Sequence, residues 1–446
     1  MSWNPVLDFV TNVKNDFMNI YNDYIAVCGL SKKNDDIYDY QSASLSSYKY
    51  KNVIDYWVDI IDNDEYKKII SVLQINQNGD LVLLRYGNYS DIFSGEEDIT
   101  NEEFWNLYNG FYRDCRTVVI DVKRLKVVLC GFKKFFNINE LPETNEDNIR
   151  NMINNAKNIE VTDKIDGSMQ LATYYGGNIV MCGSQSINPN DSWRLQDGLR
   201  MLNLDNNSRL REFIVSHPNF CFIFEYVSIK DAHVVVYSKE QEGLYLIGIR
   251  NKSNGYQYPY HYVVDIANKL GIKTTKIFDK TFDEVMDDRD KYKSNEKEGY
   301  VLNIDNTLVK IKMDDYVLLH HTLSKLASVN ATIKSIADGT IDDFISKVPN
   351  AYKERINRIA KYVYRYIKET DDIVNKYYDE SPKDSRKNFM IYVDTHIPNE
   401  YKSYVKNKYL GNNNYYYIKS HSGHYKTLKE MGYKDNYSKL FIDEGE

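Results

Sequence analysis

With 446 residues, 42% of them hydrophobic and 27% charged, the chain has room for two or three domains with sizeable cores and reads as soluble and globular. A formal net charge of -7 excludes global electrostatic attraction to nucleic acid, so such a partner would need local basic patches or bound cations. Cys28, Cys115, Cys130, Cys182 and Cys221 are scattered without a CxxC pair or a zinc spacing, which is the pattern of a reduced, intracellular protein. The start "MSWNPVLDFV" lacks a signal-peptide pattern and no run reaches membrane-spanning length, so the expected location is cytoplasmic, with no membrane partner. The 40 tyrosines, together with many Asn, Lys and Ile, fit the codon bias of an AT-rich genome.

Residues 1–75 mix helical runs such as "NPVLDFVTNVKNDFMNIYNDYI" with a polar stretch, "SKKNDDIYDYQSASLSS", that predicts a loop. From "LQINQNGDLVLLRYG" onward the pattern changes to short apolar runs parted by turn signals, with a hairpin expected at Asn78–Gly79. Strand-like segments follow at "RTVVIDV", "KVVLCGF", "IVMCGS", "CFIFEYV", "HVVVYS", "GLYLIGIR", "GYVLNI" and "LVKIKM", with helical stretches at "WRLQDGLRML" and "HYVVDIANKLG". So many strands with few intervening helices predict an α+β domain of antiparallel sheets flanked by helices over residues 76–325. Past about residue 320 the strand signal stops. Ile356, Ile359, Ala360, Val363 and Ile367 fall at helical spacing opposite a basic face, and residues 326–446 are expected to form a separate all-α domain.

The stretch "TDKIDGSMQ" admits two readings. Asp-Gly is a strong hairpin signal beside which a lysine could simply be solvated; alternatively Lys164 is a nucleophile held on a rigid turn. A lysine nucleophile needs its pKa depressed, which neighbouring cations or a metal can supply. In "LVKIKM", Lys310 and Lys312 are two apart and point to one face of a strand, as an anionic phosphate would require. Glu225 interrupts the apolar run of "CFIFEYV" and Glu298 stands where "GYVLNI" begins; such hard carboxylates suit magnesium. Each feature alone has an ordinary explanation: a partnered acid, or a solvated strand face. Their order and common setting in strands compose a site for phosphoryl-type chemistry.

"DKIDGS", "FIFEYV", "EGYVL" and "VKIK" resemble the nucleotidyltransferase motifs of covalent-lysine ligases and capping enzymes. The match is closer to the ATP-dependent RNA ligase 1 family of T-even bacteriophages, because "RDCRTVVIDV", "FKKFFNINE", "FEYVSIKDAHVVVY" and "EGYVLNIDNTLVKIKMDDYVLLHHT" resemble its longer blocks. The resemblance covers roughly residues 80–370 and implies a nucleotidyltransferase (adenylation) domain. It implies that Lys164 becomes linked to AMP, that Asp166 and Gly167 shape the turn and contact the nucleotide, and that Ser168 completes the motif. By the same resemblance Glu225 binds the ribose or assists a metal, Glu298 positions the metal, and Lys310 and Lys312 neutralise the α-phosphate. Arg116 and Lys134 match basic residues that engage the triphosphate or the RNA phosphate, and Tyr86 matches an aromatic of the nucleotide pocket.

The cofactors implied are ATP and Mg2+, with Mn2+ a substitute. The implied partner is RNA with 5′-phosphate and 3′-hydroxyl ends, cleaved tRNA among the candidates, acted on by a monomer in the host cytoplasm if phage-encoded. Lys361, Arg365 and Lys368 are placed to follow an RNA backbone, while His421 and His424 read as surface residues. Two departures stand out: Ser184 and Gln185 occupy positions where the family carries basic residues, and the N-terminal region is longer. Three rival readings stay open: a GTP-using capping enzyme, a DNA ligase, and a non-catalytic nucleic-acid binder on a ligase scaffold.

Overall fold

The computed structural model describes residues 4–13, 15–30, 49–87, 100–231, 234–293, 295–318, 332, 335–336, 340–346 and 350–411. The polar stretch after Leu30 and both His421 and His424 lie outside them. The chain divides into two compact units, Met1–Val317 and Leu318–Glu446. Among the described residues no helix is long and apolar enough to cross a membrane.

The first unit opens with helices α1 (Pro5–Val13), α2 (Phe17–Val27), α3 (Val53–Ile60) and α4 (Asp64–Ser71). Asn52 caps α3 through Asp55 N, and Asn63 caps α4 through Glu65 N and Tyr66 N. Strands β1 (Leu73–Asn78) and β2 (Leu81–Tyr86) form the hairpin expected at this point. Its central residues are Gly79 and Asp80, and Gly79 has the positive φ of 59° that such a turn requires. With β3 (Val118–Asp121) and β4 (Lys126–Cys130) they make a four-stranded sheet in the order β1-β2-β3-β4. Helix α5 (Asn101–Asp114), broken at Leu107–Gly110, packs beside it, and α6 (Glu146–Asn155) follows further along the chain. Val6, Tyr21, Tyr24 and Trp57 of the N-terminal helices share one core with Val82, Leu84 and Val119 of this sheet, so these helices are an integral layer of the first unit.

The second sheet has the order β10-β9-β7-β8 and the third β11-β6-β12-β13-β5. Their strands are β5 (Phe136–Asn137), β6 (Ile159–Lys164), β7 (Ser168–Tyr175), β8 (Asn178–Gly183), β9 (Phe220–Val227), β10 (Gly243–Asn251), β11 (Ile277–Phe278), β12 (Gly299–Ile304) and β13 (Thr307–Lys312). Pairing is antiparallel throughout except β13 with β5, a short parallel contact. The run "CFIFEYV" is apolar because β9 is buried on both faces: Cys221 and Ile223 enter the core of the first sheet, while Phe222, Phe224 and Tyr226 enter a second core. That second core is closed by α7 (Trp193–Leu202), α8 (Ser208–Ser216) and α9 (Tyr260–Leu270). Gly271, with φ 70°, ends α9 in the left-handed conformation that Gly adopts without strain.

The expected strand at "HVVVYS" is not one. Residues 234–238 are irregular, because the N–H groups of Val234 and Val235 donate to the Asp166 carboxylate at 3.0 and 3.1 Å in place of a strand ladder. A short helix, α10 (Phe282–Asp287), capped by Thr281 with Glu284, precedes β12.

The second unit contains α11 (Ile341–Ser346), α12 (Asn350–Glu380), α13 (Arg386–His396) and α14 (Asn399–Tyr409). Val374, Phe389, Val393, Ile397 and Val405 form its core. Ile356, Ala360 and Val363 of α12 are buried, and Lys361, Arg365 and Lys368 are exposed.

Asp80, in the first hairpin, is 6% exposed and its Oδ1 has no hydrogen-bond partner among the described residues. Burial, then the charge of Asp121, pushes its carboxyl pKa upward. Since the folded value lies above the unfolded one, ionised Asp80 costs stability at neutral pH, and the cost fades as pH falls until both states are protonated. Asp80→Asn is therefore expected to stabilise the protein by about 1 kcal/mol near pH 7. Thermal unfolding across pH should show this gain shrinking toward acid pH.

Candidate active site

Lys164 is the last residue of β6 in the third sheet and Ser168 the first of β7 in the second, so "KIDGS" is a crossover between sheets, not a hairpin. Gly167 permits it: a Cβ there would lie 2.5 Å from the Tyr226 carbonyl and 2.8 Å from Glu225 Cγ. The turn thus presses the lysine strand against the strand carrying Glu225. Glu225 lies on the Cys221/Ile223 face of β9, paired with Met169 of β7, and borders the cavity between sheets.

The cavity face of the third sheet is ordered by strand register. Gly299 stands opposite both Lys164 and Lys312; Val301 opposite Thr162 and Lys310; Asn303 opposite Glu160 and Leu308. Opposed residues point the same way, so the rows succeed one another along one face. Gly299 has no space for a side chain, since a Cβ would meet the Ile311 carbonyl at 2.2 Å. The two lysines of its row converge instead on the preceding residue: Lys164 Nζ and Lys312 Nζ lie 2.8 and 2.9 Å from Glu298 Oε1, and Glu298 is 4% exposed. The cavity over these rows has a volume of about 370 Å³, within the size range of small-molecule sites.

The electrostatics correct one expectation. Burial disfavours the charged form of Lys164, but the carboxylates of Glu298, Glu225 and Asp166 outweigh it and raise the lysine's pKa. Lys310 and Lys312 do not hold Lys164 neutral in this state. The lysine pushed down is Lys310, by burial first and then by Arg116, Lys164, Lys134 and Lys312; its ammonium lies 4.5 Å above the Phe135 ring. In this arrangement Lys164 is a protonated partner of acids.

Lys164, Gly167, Ser168, Arg116, Tyr86, Glu225, Lys310 and Lys312 all line the cavity. Arg116 lies over Phe135, and its Nη1 is buried with no hydrogen-bond partner among the described residues. Lys134 is set back from the lining, its ammonium 5.1–5.6 Å from the rings of Phe136, Trp105 and Tyr86. Asp166 turns away from the cavity: besides the Val234 and Val235 N–H groups it accepts from Tyr316 Oη at 3.1 Å, and its own N–H donates to Tyr237 Oη at 2.8 Å. Ser168 Oγ donates to Asp231, which is gripped by Arg194 through two 2.6 Å bonds.

Sequence reasoning missed Arg85 and Asn303, which also line the cavity. Arg85 had a signal, a charge at the end of the apolar run "LVLL". Ser184 lines the cavity too, and its carbonyl accepts from Thr117 beside Arg116, so Arg85 and Arg116 bring positive charge to the wall that Ser184 leaves neutral. Glu225 lines the cavity and Glu298 meets Lys164 and Lys312 at its edge, so both could serve a metal, and among the described residues no cluster of three or more His, Cys, Asp or Glu makes a complete cage.

Residues 114–318 match the family model described as RNA ligase. A candidate bifunctional polynucleotide kinase/RNA ligase of Autographa californica nuclear polyhedrosis virus is 25% identical over 263 residues, covering 54% of this chain and 37% of that protein. Among solved structures, a mutant Naegleria gruberi RNA ligase with ATP and manganese is 15% identical, covers 43% of this chain and 58% of that one, and has a TM-score of 0.32. An archaeal ATP-dependent RNA ligase is 12% identical over 78% of this chain and 96% of that one, with a TM-score of 0.38. The chain thus spans little more than a third of the viral relative's length. The sequence match, not these low structural scores, is what makes residues 114–318 similar to RNA ligases.

Asp166 holds two backbone N–H groups that no strand satisfies, and its removal should release them. In Asp166→Ala, hydrogen exchange at Val234 and Val235 is expected to accelerate by about 10-fold or more, with core strands such as β9 unchanged.

Proposed function

We propose that this chain, whose residues 114–318 are similar to RNA ligases, joins RNA ends by ATP-dependent ligation through a lysine–AMP intermediate on Lys164. The observation that carries the reading is the meeting of Lys164 and Lys312 on Glu298 Oε1 beside a cavity of nucleotide size.

Glu225 and Glu298 offer the hard oxygen donors that magnesium takes when it keeps waters and uses substrate phosphates for its remaining positions; manganese accepts the same donors. A divalent ion there would offset the carboxylate charge that now raises the pKa of Lys164, and would draw negative charge from the phosphates. Neutral Lys164 Nζ attacks the α-phosphorus of ATP; the N–P bond forms, the bond to pyrophosphate breaks, and the amine proton leaves to solvent. Lys312, Lys310 and the unpaired Nη1 of Arg116 hold the phosphate oxygens as charge grows on them. An RNA 5′-phosphate then takes the AMP from Lys164, giving a 5′-5′ pyrophosphate linkage. A 3′-hydroxyl attacks the RNA phosphorus and AMP departs. Glu225 serves the ribose or the metal, and Asp166 acts by holding the turn.

Exposed Lys361, Arg365 and Lys368 on α12 support a role for the helical unit in gripping the RNA backbone, with cleaved tRNA one candidate substrate. The protein acts as a monomer.

Incubation with 5′-phosphate, 3′-hydroxyl RNA, ATP and magnesium should give joined product, and Lys164→Ala should give none. The same variant should still seal RNA supplied with a 5′-adenylate, because only the first two steps use Lys164. Failure of the native protein on both RNAs would overturn the reading. Removing an acid beside Lys164 lowers the pKa of its ammonium, so in Glu225→Gln the alkaline rise of AMP transfer is expected at lower pH than in the native protein.

A further inference from the structure

The third row of the sheet face, Glu160, Asn303 and Leu308, has no part in the chemistry above. Asn303 is 3% exposed and lines the cavity. Its Nδ2 donates to Glu160 Oε2 at 2.7 Å, whereas its Oδ1 is buried with no hydrogen-bond partner among the described residues. A buried acceptor left unpaired in a cavity is costly unless a ligand fills it.

The amide cannot turn over. Glu160 accepts from the backbone N–H groups of Tyr260 and His261, each at 2.9 Å, and from His261 Nδ1 at 2.8 Å. Although burial opposes the charge, these bonds keep its carboxyl below the usual carboxylate range. A carboxylate with those partners can only accept, so Asn303 must give it the NH2 group and aim its carbonyl oxygen the other way.

Asn303 lies four residues along β12 from Gly299, a rise of about 13 Å. That separation is comparable with the reach from the α-phosphorus of a nucleotide to the far edge of its base. Phe132, which fills the space over Gly248, and Tyr258 border the same cavity, and aromatic rings of this kind can pack against a flat base. A nucleotide with its α-phosphorus at Lys164 and Lys312 would bring position 6 of a purine to Asn303.

We propose that Asn303 is the specificity-determining residue for the purine base, its Oδ1 accepting from the exocyclic amine of adenine and opposing the 6-oxo group of guanine. The inference rests on the nucleotide entering this cavity as described above, and it decides between ATP and the GTP of a capping enzyme. Glu160 is a positioning residue that acts through Asn303.

The test measures magnesium-dependent binding of ATP, ITP and purine riboside triphosphate to Lys164→Ala protein, which forms no adduct, with and without Asn303→Ala. Label transfer from α-labelled ATP to the native protein, first stripped of any AMP with pyrophosphate, runs in parallel. ATP should bind about 10- to 100-fold more tightly than the analogue lacking the 6-amino group, and ITP should bind no better than that analogue. Asn303→Ala should remove most of the difference. Equal binding of all three nucleotides with Asn303 in place, or undiminished discrimination in Asn303→Ala, would overturn the inference. If Asn303→Ala does not fold, the comparison of nucleotides with Asn303 intact still decides. Selective ATP binding without label on the native protein would sink the ligase reading alone; absence of any nucleotide binding would sink both.

Discussion

Two ammonium groups from different strands meet on one oxygen of a carboxylate that is 4% exposed, and the surrounding fold keeps them there. Burying charge is tolerable only when partners stay in place, so losing any one of Lys164, Glu298 and Lys312 leaves the others uncompensated. The register delivers this arrangement. Gly299 stands between the two lysines, carries no side chain to part them, and follows Glu298 directly in the chain. A phosphate entering the site would take over part of the compensation that Glu298 supplies, while a cation on Glu298 would release Lys164 from it. In the proposed reaction the site would thus rest protonated and be activated by what it binds.

The crossover at Lys164–Ser168 brings this constraint to a cavity between sheets. Gly167 allows the close approach, and the Asp166 carboxylate fixes the other side by holding Val234, Val235 and Tyr316. The same cavity grades from cationic at the Gly299 row to polar and aromatic at the Asn303 row. A molecule with phosphate at one end and a flat polar ring at the other matches that gradient.

Much of this was legible in the sequence because strands impose a period of two. Lys310 and Lys312 share a face as their spacing demands, and Glu225 interrupts an apolar strand because it stands where the core ends and the cavity begins. Other features depend on contacts that no local pattern encodes. "HVVVYS" has the apolar run of a strand, yet its N–H groups serve a carboxylate some seventy residues earlier in the chain. The protonation of Lys164 could not be inferred from lysines alone, since it depends on three acids drawn from separate segments. Asn303 reads as an ordinary strand residue until its amide is seen fixed by Glu160. The N-terminal helices gave a helical pattern but no sign that they share the core of the first sheet.

The central claim is that Lys164 is the group that attacks the nucleotide. The most direct measurement is mass spectrometry of the native protein after pyrophosphate treatment and incubation with ATP and magnesium, followed by peptide mapping. The account predicts one AMP per chain, on the peptide containing Lys164, reversed by pyrophosphate and absent from Lys164→Ala. An adduct on another residue, or none on protein first stripped of AMP, would contradict it.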